Sequence, residues 1–236
     1  ISGVLDSTLT LYPDKEYIID GFLALDKNAV LTIKPGTTIM FTDNSAFSAN
    51  RGVLNAVGTP DSLITFTMAP GHKSFIHYID ISPSVGKVSY AIFKGFGCSG
   101  NSIFRCITAY NCIFEGNYTG WNKYYPYLFE SCKLHNSNIV FNEMISGMGQ
   151  PAFACGTHFY NCNITYNTIA KKSSSEWKFE NGASPAIWSY TSTPHSCNIF
   201  DNYTTKNEPI LAACEISSGV GVITMKDPSY FGTYNA

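Results

Sequence analysis

NCIFEGN, at residues 111–117, is the first of four similar segments in the C-terminal two-thirds of this chain. The others are SCKLHNS at 131–137, NCNITYN at 161–167 and SCNIFDN at 196–202, and YAIFKGF at 90–96 is a version without cysteine. In each cysteine segment a small polar residue and the cysteine precede a short apolar strand that ends near an asparagine. Repeats of this kind are typical of solenoids, in which one unit cannot bury its own apolar face and must stack on its neighbours. The segments therefore predict a β-solenoid.

The spacing of the copies predicts a column of cysteines. The copies align on Ala91, Cys112, Cys132, Cys162 and Cys197, starting about twenty residues apart and later spreading to thirty or more. Because free cysteine packs as a small buried apolar group, we expect these thiols to be buried, stacked and reduced. Cys98, Cys106, Cys155 and Cys214 lie outside this register, and a Cys98–Cys106 disulfide stays open as an alternative. Without a CxxC pair or a histidine at ligand spacing, we expect no metal and no cofactor.

Composition and charge limit the class of protein. Hydrophobic residues make up 44% of the 236 residues and charged residues only 14%, which suits short strands joined by uncharged polar turns. The net charge of −2, with Lys and Arg spread singly, argues against nucleic acid as a partner. The chain has no apolar run long enough for a transmembrane helix, and Ile1 does not open a signal peptide. We expect a mature or trimmed form and a monomer with one elongated domain.

The N-terminal third alternates strands and turns. LTIKPGTTIMF at 31–41 turns at Pro35-Gly36, and RGVLNAVGTPDSLITFT at 51–67 turns at residues 58–61. A period of two along a strand predicts which side chains point inward. The predicted inward residues are Leu31, Ile33, Ile39, Phe41, Val53, Ile64 and Phe66.

These two segments, followed by KVSYAIFKGFG at 87–97, resemble the opening coils of secreted bacterial right-handed parallel β-helix proteins of the pectin-lyase-like superfamily, Bacteroides-type surface proteins among them. Many of those carry L-x-I-x-P-G-T-x-I-x-F and then G-x-L-x-A-x-G-T-x-x-x-x-I-x-F-T. ITMKDPSYFGT at 223–233 resembles the exit segment that follows their last coil. The resemblance implies the fold and a secreted or cell-surface setting, with outer-membrane anchoring or a periplasmic location open. It implies no activity, because one fold hosts many functions.

We therefore predict an all-β, single-stranded right-handed parallel β-helix of about nine or ten coils. The predicted domain covers residues 1–236, with an N-terminal cap at 1–26, coils at 27–222 and an exit segment at 223–236. Asn117, Asn167 and Asn202 recur at one turn position. An asparagine there can bond its own coil and the next, which predicts an asparagine ladder.

The sequence shows no catalytic constellation, so the catalytic residues are unknown. A polysaccharide lyase needs a base and a cation near the uronate carboxylate, but Arg51 and Arg105 lack an aspartate cluster, and Lys171–Lys172 suits a solvated loop. A glycoside hydrolase needs two carboxylates across a cleft. Asp and Glu are scattered here, and the nearest pair, Glu176 and Glu180, suits a loop as well.

Aromatic residues in insertions are the remaining functional signal. YTGWNKYYPY at 118–127 holds one Trp and four Tyr in ten residues. Insertions leave a solenoid as loops on one face, often the binding face, and aromatic rings can stack on sugars. That these rings only cover the side of the solenoid stays open as the alternative. The candidate carbohydrate-binding residues are Trp121, Tyr124, Tyr125, Tyr127 and Trp188.

Three functional hypotheses follow. The first is a secreted or surface-anchored, non-catalytic protein that binds a polysaccharide or another glycan. The second is a polysaccharide lyase or glycoside hydrolase with a dispersed site, and the third is a structural spacer or adhesin. Convergence of Arg105 or Lys171 with carboxylates in a groove would favour the enzyme. A flat lateral wall with clustered Trp and Tyr would favour binding, and the absence of both would favour the spacer.

Overall fold

The computed structural model of the chain describes residues 1–49, 51–72, 78–81, 86–99, 102–120, 127–146, 152–171, 186–189 and 192–204. Within these residues all regular structure is β-strand, and paired strands run parallel. The described part of the chain is a parallel β-solenoid, as the sequence predicts. The right-handed path of its coils stays a prediction.

The first three coils have three strands each. Their strands are β1 (Gly3–Leu5), β2 (Thr8–Leu11), β3 (Glu16–Ile19), β4 (Phe22–Leu25), β5 (Val30–Ile33), β6 (Thr38–Phe41), β7 (Ala46–Ser48), β8 (Val53–Val57) and β9 (Ile64–Met68). The segment predicted as the N-terminal cap, residues 1–26, thus forms the first coil and β4.

The later coils have four strands each. Coil 4 has β10 (Ile79–Asp80), β11 (Gly86–Ser89), β12 (Ala91–Lys94) and β13 (Gly97–Ser99). Coil 5 has β14 (Phe104–Arg105), β15 (Thr108–Tyr110), β16 (Ile113–Glu115) and β17 (Tyr118–Gly120). Coil 6 has β18 (Phe129–Glu130), β19 (Lys133–His135), β20 (Asn138–Val140) and β21 (Glu143–Ser146). Coil 7 has β22 (Ala152–Cys155), β23 (His158–Tyr160), β24 (Asn163–Thr165) and β25 (Thr168–Lys171). Coil 8 has β26 (Ala186–Ser189), β27 (Thr193–His195), β28 (Asn198–Phe200) and β29 (Tyr203–Thr204).

Corresponding strands of successive coils stack into four sheets. Sheet 1 has the order β1-β4-β7-β10-β14-β18-β22-β26, and sheet 2 the order β2-β5-β8-β11-β15-β19-β23-β27. Sheet 3 is β3-β6-β9-β12-β16-β20-β24-β28, and sheet 4 is β13-β17-β21-β25-β29. The described residues therefore form eight coils, and residues 205–236, which include the predicted exit segment, lie outside them.

The core is a continuous column of inward side chains, as expected from strand periodicity. Phe66, Phe93 and Phe114 stack in sheet 3, with ring centroids 4.6 and 5.0 Å apart. One predicted inward residue is wrong: Val53 is only half-buried, and Leu54 is fully buried instead. The reason is the register of β8, in which Leu54 pairs with the buried Leu31.

In coils 5 to 7, sheets 2 to 4 use a five-residue unit for each side. A corner residue with left-handed backbone is followed by a buried residue and a short strand. In coil 6 the corners are Ser131, Asn136 and Phe141, with φ of 55°, 50° and 55°. Residues other than glycine rarely adopt this conformation, so the sharp corners depend on the packed coils around them.

The predicted cysteine column is wrong for Cys132, which lies on a neighbouring side of the coil. Register places Ser137 directly after Cys112, followed in the same column by Cys162 and Cys197. Cys132 lies in another column, between Ile107 and Thr157. Stacked residues here are 25 positions apart, so an alignment at twenty is one five-residue side short. The four thiols are buried as predicted, and Cys98 and Cys106 are not bridged to each other.

The predicted asparagine ladder is present and has a further member, Asn142. The Nδ2 groups of Asn117, Asn142 and Asn167 donate to the Oδ1 atom of the next asparagine at 3.0, 2.9 and 2.9 Å, ending at Asn202. Each asparagine also donates to a backbone carbonyl of the previous coil. The ladder therefore joins coils 4 to 8 through buried hydrogen bonds.

Candidate ligand-binding faces

The structure describes two of the five predicted carbohydrate-binding residues. Trp121, Tyr124 and Tyr125 lie outside the described residues. Tyr127 is half-buried, and its hydroxyl is hydrogen-bonded to the Cys155 thiol. Trp188 lies in β26 of coil 8, where its Cα pairs with that of Ala154 in coil 7, and Phe129 holds the same register position in coil 6. Their role in binding stays a prediction.

The predicted insertion at 118–127 begins later than its sequence indicates. Tyr118–Gly120 is strand β17 of sheet 4, paired with Gly97–Ser99 and with Glu143 and Met144. The sequence between this strand and β18 connects sheet 4 to sheet 1. The longer stretch between β25 and β26 makes the same connection. Both insertions therefore lie in the chain between a sheet 4 strand and the next sheet 1 strand.

An aromatic row that the sequence analysis missed lies on the outer surface of sheet 2. Tyr110, His135, Tyr160 and His195 occupy one register position in coils 5 to 8. Their rings are stacked, with centroids 4.6, 4.6 and 4.7 Å apart and interplanar angles of 14°, 9° and 6°. We call these four residues the Tyr–His row.

The geometry of the Tyr–His row decides what it can offer a ligand. Since the ring spacing matches the separation of stacked strands, the rings lie face to face along the solenoid and their edges point outward. The inner faces are covered by neighbouring rings, whereas Tyr110 keeps 37% of its surface exposed. The row thus presents tyrosine hydroxyls and imidazole nitrogens at one-coil intervals, over roughly 14 Å.

Exposed amides run parallel to the Tyr–His row. Asn163 Nδ2 donates to Asn138 Oδ1 at 2.8 Å, and Asn198 Nδ2 donates to Asn163 Oδ1 at 2.9 Å. Asn161 Nδ2 donates to Asn136 Oδ1 at the corner between the two rows, at 3.3 Å. The corner of sheets 2 and 3 therefore carries a strip of neutral hydrogen-bonding groups beside the stacked rings.

The other outward row of sheet 2 adds basic groups to this face. Lys133 and His158 occupy successive coils there. Burial, and then the charge of Lys133, lowers the pKa of His135 below its usual range. Burial also lowers the pKa of His158, helped by His195 and Lys133. These two imidazoles are thus held neutral at neutral pH, as donors and acceptors rather than cations.

A second cluster lies on sheet 1, where Asp80, Arg105 and Glu130 occupy one register position in coils 4 to 6. Arg105 Nε lies 3.4 Å from Glu130 Oε2, and the Ser102 hydroxyl donates to the same oxygen at 2.7 Å. The Arg105 guanidinium lies 5.7 Å from the centre of the Tyr78 ring. We call the three charged residues the charged row.

The charged row contains two carboxyl groups in unlike surroundings. Burial raises the pKa of Asp80, Arg105 opposes that shift, and Glu130 adds to it. Burial also raises the pKa of the neighbouring Cys106 thiol, as does the charge of Asp80. Glu130 differs from Asp80 in its contacts, since both Arg105 and the Ser102 hydroxyl lie against its Oε2 atom. Two carboxyl groups on one face are what acid–base cleavage of a glycoside requires.

Two further observations bear on the class of protein. Among the described residues, no three His, Cys, Asp or Glu side chains come together in a way that could hold a metal ion. The same part of the chain contains no helix that could cross a membrane.

Comparison with known proteins leaves the fold as the established result. No family model, no curated protein and no solved structure matches this chain. The order of the strands in the four sheets establishes a parallel β-solenoid. The resemblance to pectin-lyase-like proteins and the secreted setting it implies stay predictions.

Proposed function

We propose that this β-solenoid is a secreted or cell-surface protein that binds a polysaccharide or another glycan without cleaving it. The observation that carries the proposal is the Tyr–His row with its parallel asparagine amides. Sugars are neutral polyols that exchange many hydrogen bonds, and this strip offers neutral donors and acceptors in a repeating array. A repeating array suits a repeating polymer, because each added coil can meet the next part of the chain.

Binding to glycan arrays and to insoluble polysaccharides tests the proposal. The double variant Tyr110→Phe with Tyr160→Phe keeps the stacked rings and removes two hydroxyl groups. We expect its affinity to fall roughly tenfold or more, because each lost hydrogen bond weakens binding by about 1 kcal/mol. Tyr12→Phe removes a hydroxyl from an exposed tyrosine in the first coil and is the matched control.

A companion variant tests the predicted aromatic loop. Trp121→Ala with Tyr124→Ala is expected to abolish glycan binding while leaving the melting temperature nearly unchanged. A large loss of stability would assign these rings to packing against the coils. Wild-type protein that binds no glycan at all would remove the binding hypothesis and leave the structural spacer.

A second candidate function is glycoside or polysaccharide cleavage at the charged row. It is supported by the convergence of Arg105 with Asp80 and Glu130, in which Asp80 would be the general acid and Glu130 the base or nucleophile. Release of reducing ends and of unsaturated uronates from a polysaccharide panel tests it. Asp80→Asn and Glu130→Gln should each abolish any activity found, whereas the exposed Glu16→Gln of the first coil should not.

A further inference from the structure

Cys162 and Cys197 are stacked directly on each other in coils 7 and 8. The residues that follow them, Asn163 and Asn198, are paired in sheet 3. The backbone N–H of Cys162 donates to the Cys197 sulfur at 3.4 Å. We propose that these two thiols form a reversible disulfide that locks coil 8 onto coil 7.

The spacing of the solenoid favours this bond. Residues stacked across a parallel strand pair lie about 4.8 Å apart at Cα, within the range of about 4.4–6.8 Å found across disulfides. Among the described buried cysteines of sheets 2 and 3, only Cys162 and Cys197 stack on another cysteine. Cys112 lies between Ala91 and Ser137, and Cys132 between Ile107 and Thr157.

The chemistry is thiol–disulfide exchange with a low-molecular-weight disulfide such as oxidised glutathione. The Cys197 thiolate attacks one sulfur of that disulfide, forming a mixed disulfide and releasing one glutathione thiolate. Cys162 then loses its proton and attacks the Cys197 sulfur, which releases the second glutathione. The two cysteines lose two electrons and two protons, and the oxidant becomes two thiols. The hydrogen bond from Cys162 lowers the pKa of Cys197, which suits Cys197 as the attacking group.

The weaker burial of coil 8 gives the pair a route to the oxidant. Along the asparagine ladder, the exposed fraction rises from 0% at Asn117 and 1% at Asn142 to 3% at Asn167 and 7% at Asn202. Ile199, next to the pair in coil 8, is 5% exposed, whereas Ile164 in coil 7 is fully buried. Local opening begins where burial is weakest, so coil 8 is expected to open before coils 5 to 7.

Incubation of the whole protein in oxidised and in reduced glutathione, followed by alkylation and peptide mass spectrometry, tests the bond. We expect a peptide pair linked through Cys162 and Cys197 in the oxidised sample only. We also expect a melting temperature higher by roughly 5 °C that returns to its starting value with dithiothreitol. Cys162→Ala should lose both effects, whereas Cys112→Ala, which removes a buried thiol from the same column, should keep both.

Either of two results would overturn the proposal. One is the absence of the Cys162–Cys197 link after prolonged oxidation, whether the thiols stay free or carry glutathione singly. The other is a link that joins different cysteines. If the Cys162→Ala variant does not fold, oxidised wild-type protein measured with and without dithiothreitol still tests the proposal.

Discussion

At the scale of single residues, Asn142 stabilises three coils at once. Its Oδ1 atom accepts hydrogen bonds from the backbone N–H and the Nδ2 of Asn117 at 2.9 and 3.0 Å. Its Nδ2 donates to the Phe114 carbonyl and to Asn167 Oδ1, both at 2.9 Å. Because Asn142 is 1% exposed, water cannot replace these bonds.

Asn142→Ala should therefore lower the free energy of unfolding by about 3 kcal/mol or more, since several buried groups lose their partners. Asn163→Ala is the matched control, because Asn163 makes similar ladder bonds on the exposed surface, and should cost under about 1 kcal/mol. Denaturant unfolding measures both variants. Equal losses would show that the buried ladder is no stronger than the exposed one.

Two buried thiols make a prediction about alkaline pH. Burial raises the pKa values of Cys112 and Cys132 from 9.0 to about 12. A raised pKa means that the folded state keeps its protons when the unfolded state has lost them, so stability falls as the pH rises from 9 towards 12. The double variant Cys112→Ala with Cys132→Ala should show a shallower loss than wild type over this window. Native-state labelling of Cys112 and Cys132 as fast as in denatured protein would contradict their burial.

At the scale of elements, the outer surface of sheet 2 links strand positions to acid sensitivity. Burial lowers the pKa values of His135 and His158, so the unfolded chain takes up their protons first as the pH falls. Stability should accordingly decline below about pH 6.5 and continue to fall through the folded-state pKa values. His135→Phe keeps a ring in the stack without a titratable group and should reduce this decline. NMR titration of the imidazoles checks the direction, and a pKa above 6.5 for His135 would contradict it.

Sequence reasoning missed the Tyr–His row because no local pattern marks its residues. Each member of the row directly precedes a corner residue with left-handed backbone, which is Asn111, Asn136, Asn161 or Ser196. As single positions the members of the row alternate between two residue types and are separated by 25 or 35 residues, so no local pattern marks them. Their chemistry appears only when the coils stack and bring the four rings to 4.6–4.7 Å.

At the scale of the whole molecule, the length of a coil predicts which deletions the fold tolerates. Deletion of residues 132–156 removes one full coil and joins Ser131 to Thr157, which occupies the column position of Cys132. Because each coil contacts only its neighbours, this shortened chain should fold, with a modest loss of stability. Circular dichroism and thermal melting measure the result.

A deletion of twenty residues is the matched control. Removal of residues 112–131 joins Asn111 to Cys132 and keeps a plausible local sequence, but it places β19 of sheet 2 directly after β15 of the same sheet. One side of the coil is then out of register, and every inward residue beyond the junction must change sheets. We expect this variant to be unfolded or insoluble. A stable fold with native-like melting would mean that the sides are interchangeable.

The sequence by itself determined the all-β solenoid, the asparagine ladder, and the burial of Cys112, Cys132, Cys162 and Cys197. These features repeat along the chain, and repetition of small, apolar and turn residues is visible without coordinates. Tertiary structure decided which copies stack. Each five-residue side resembles the next, so local similarity cannot distinguish a full coil of 25 residues from one that is a side shorter.

The candidate faces depend on that decision. The register brings Arg105 beside Asp80 and Glu130, and it sets the rings of the Tyr–His row in contact, although all these residues are far apart in sequence. It also separates Cys132 from Cys112 and leaves Cys162 stacked on Cys197. A solenoid converts sequence distance into strand spacing, and only the number of residues in each coil, which the packed corners set, determines which side chains meet.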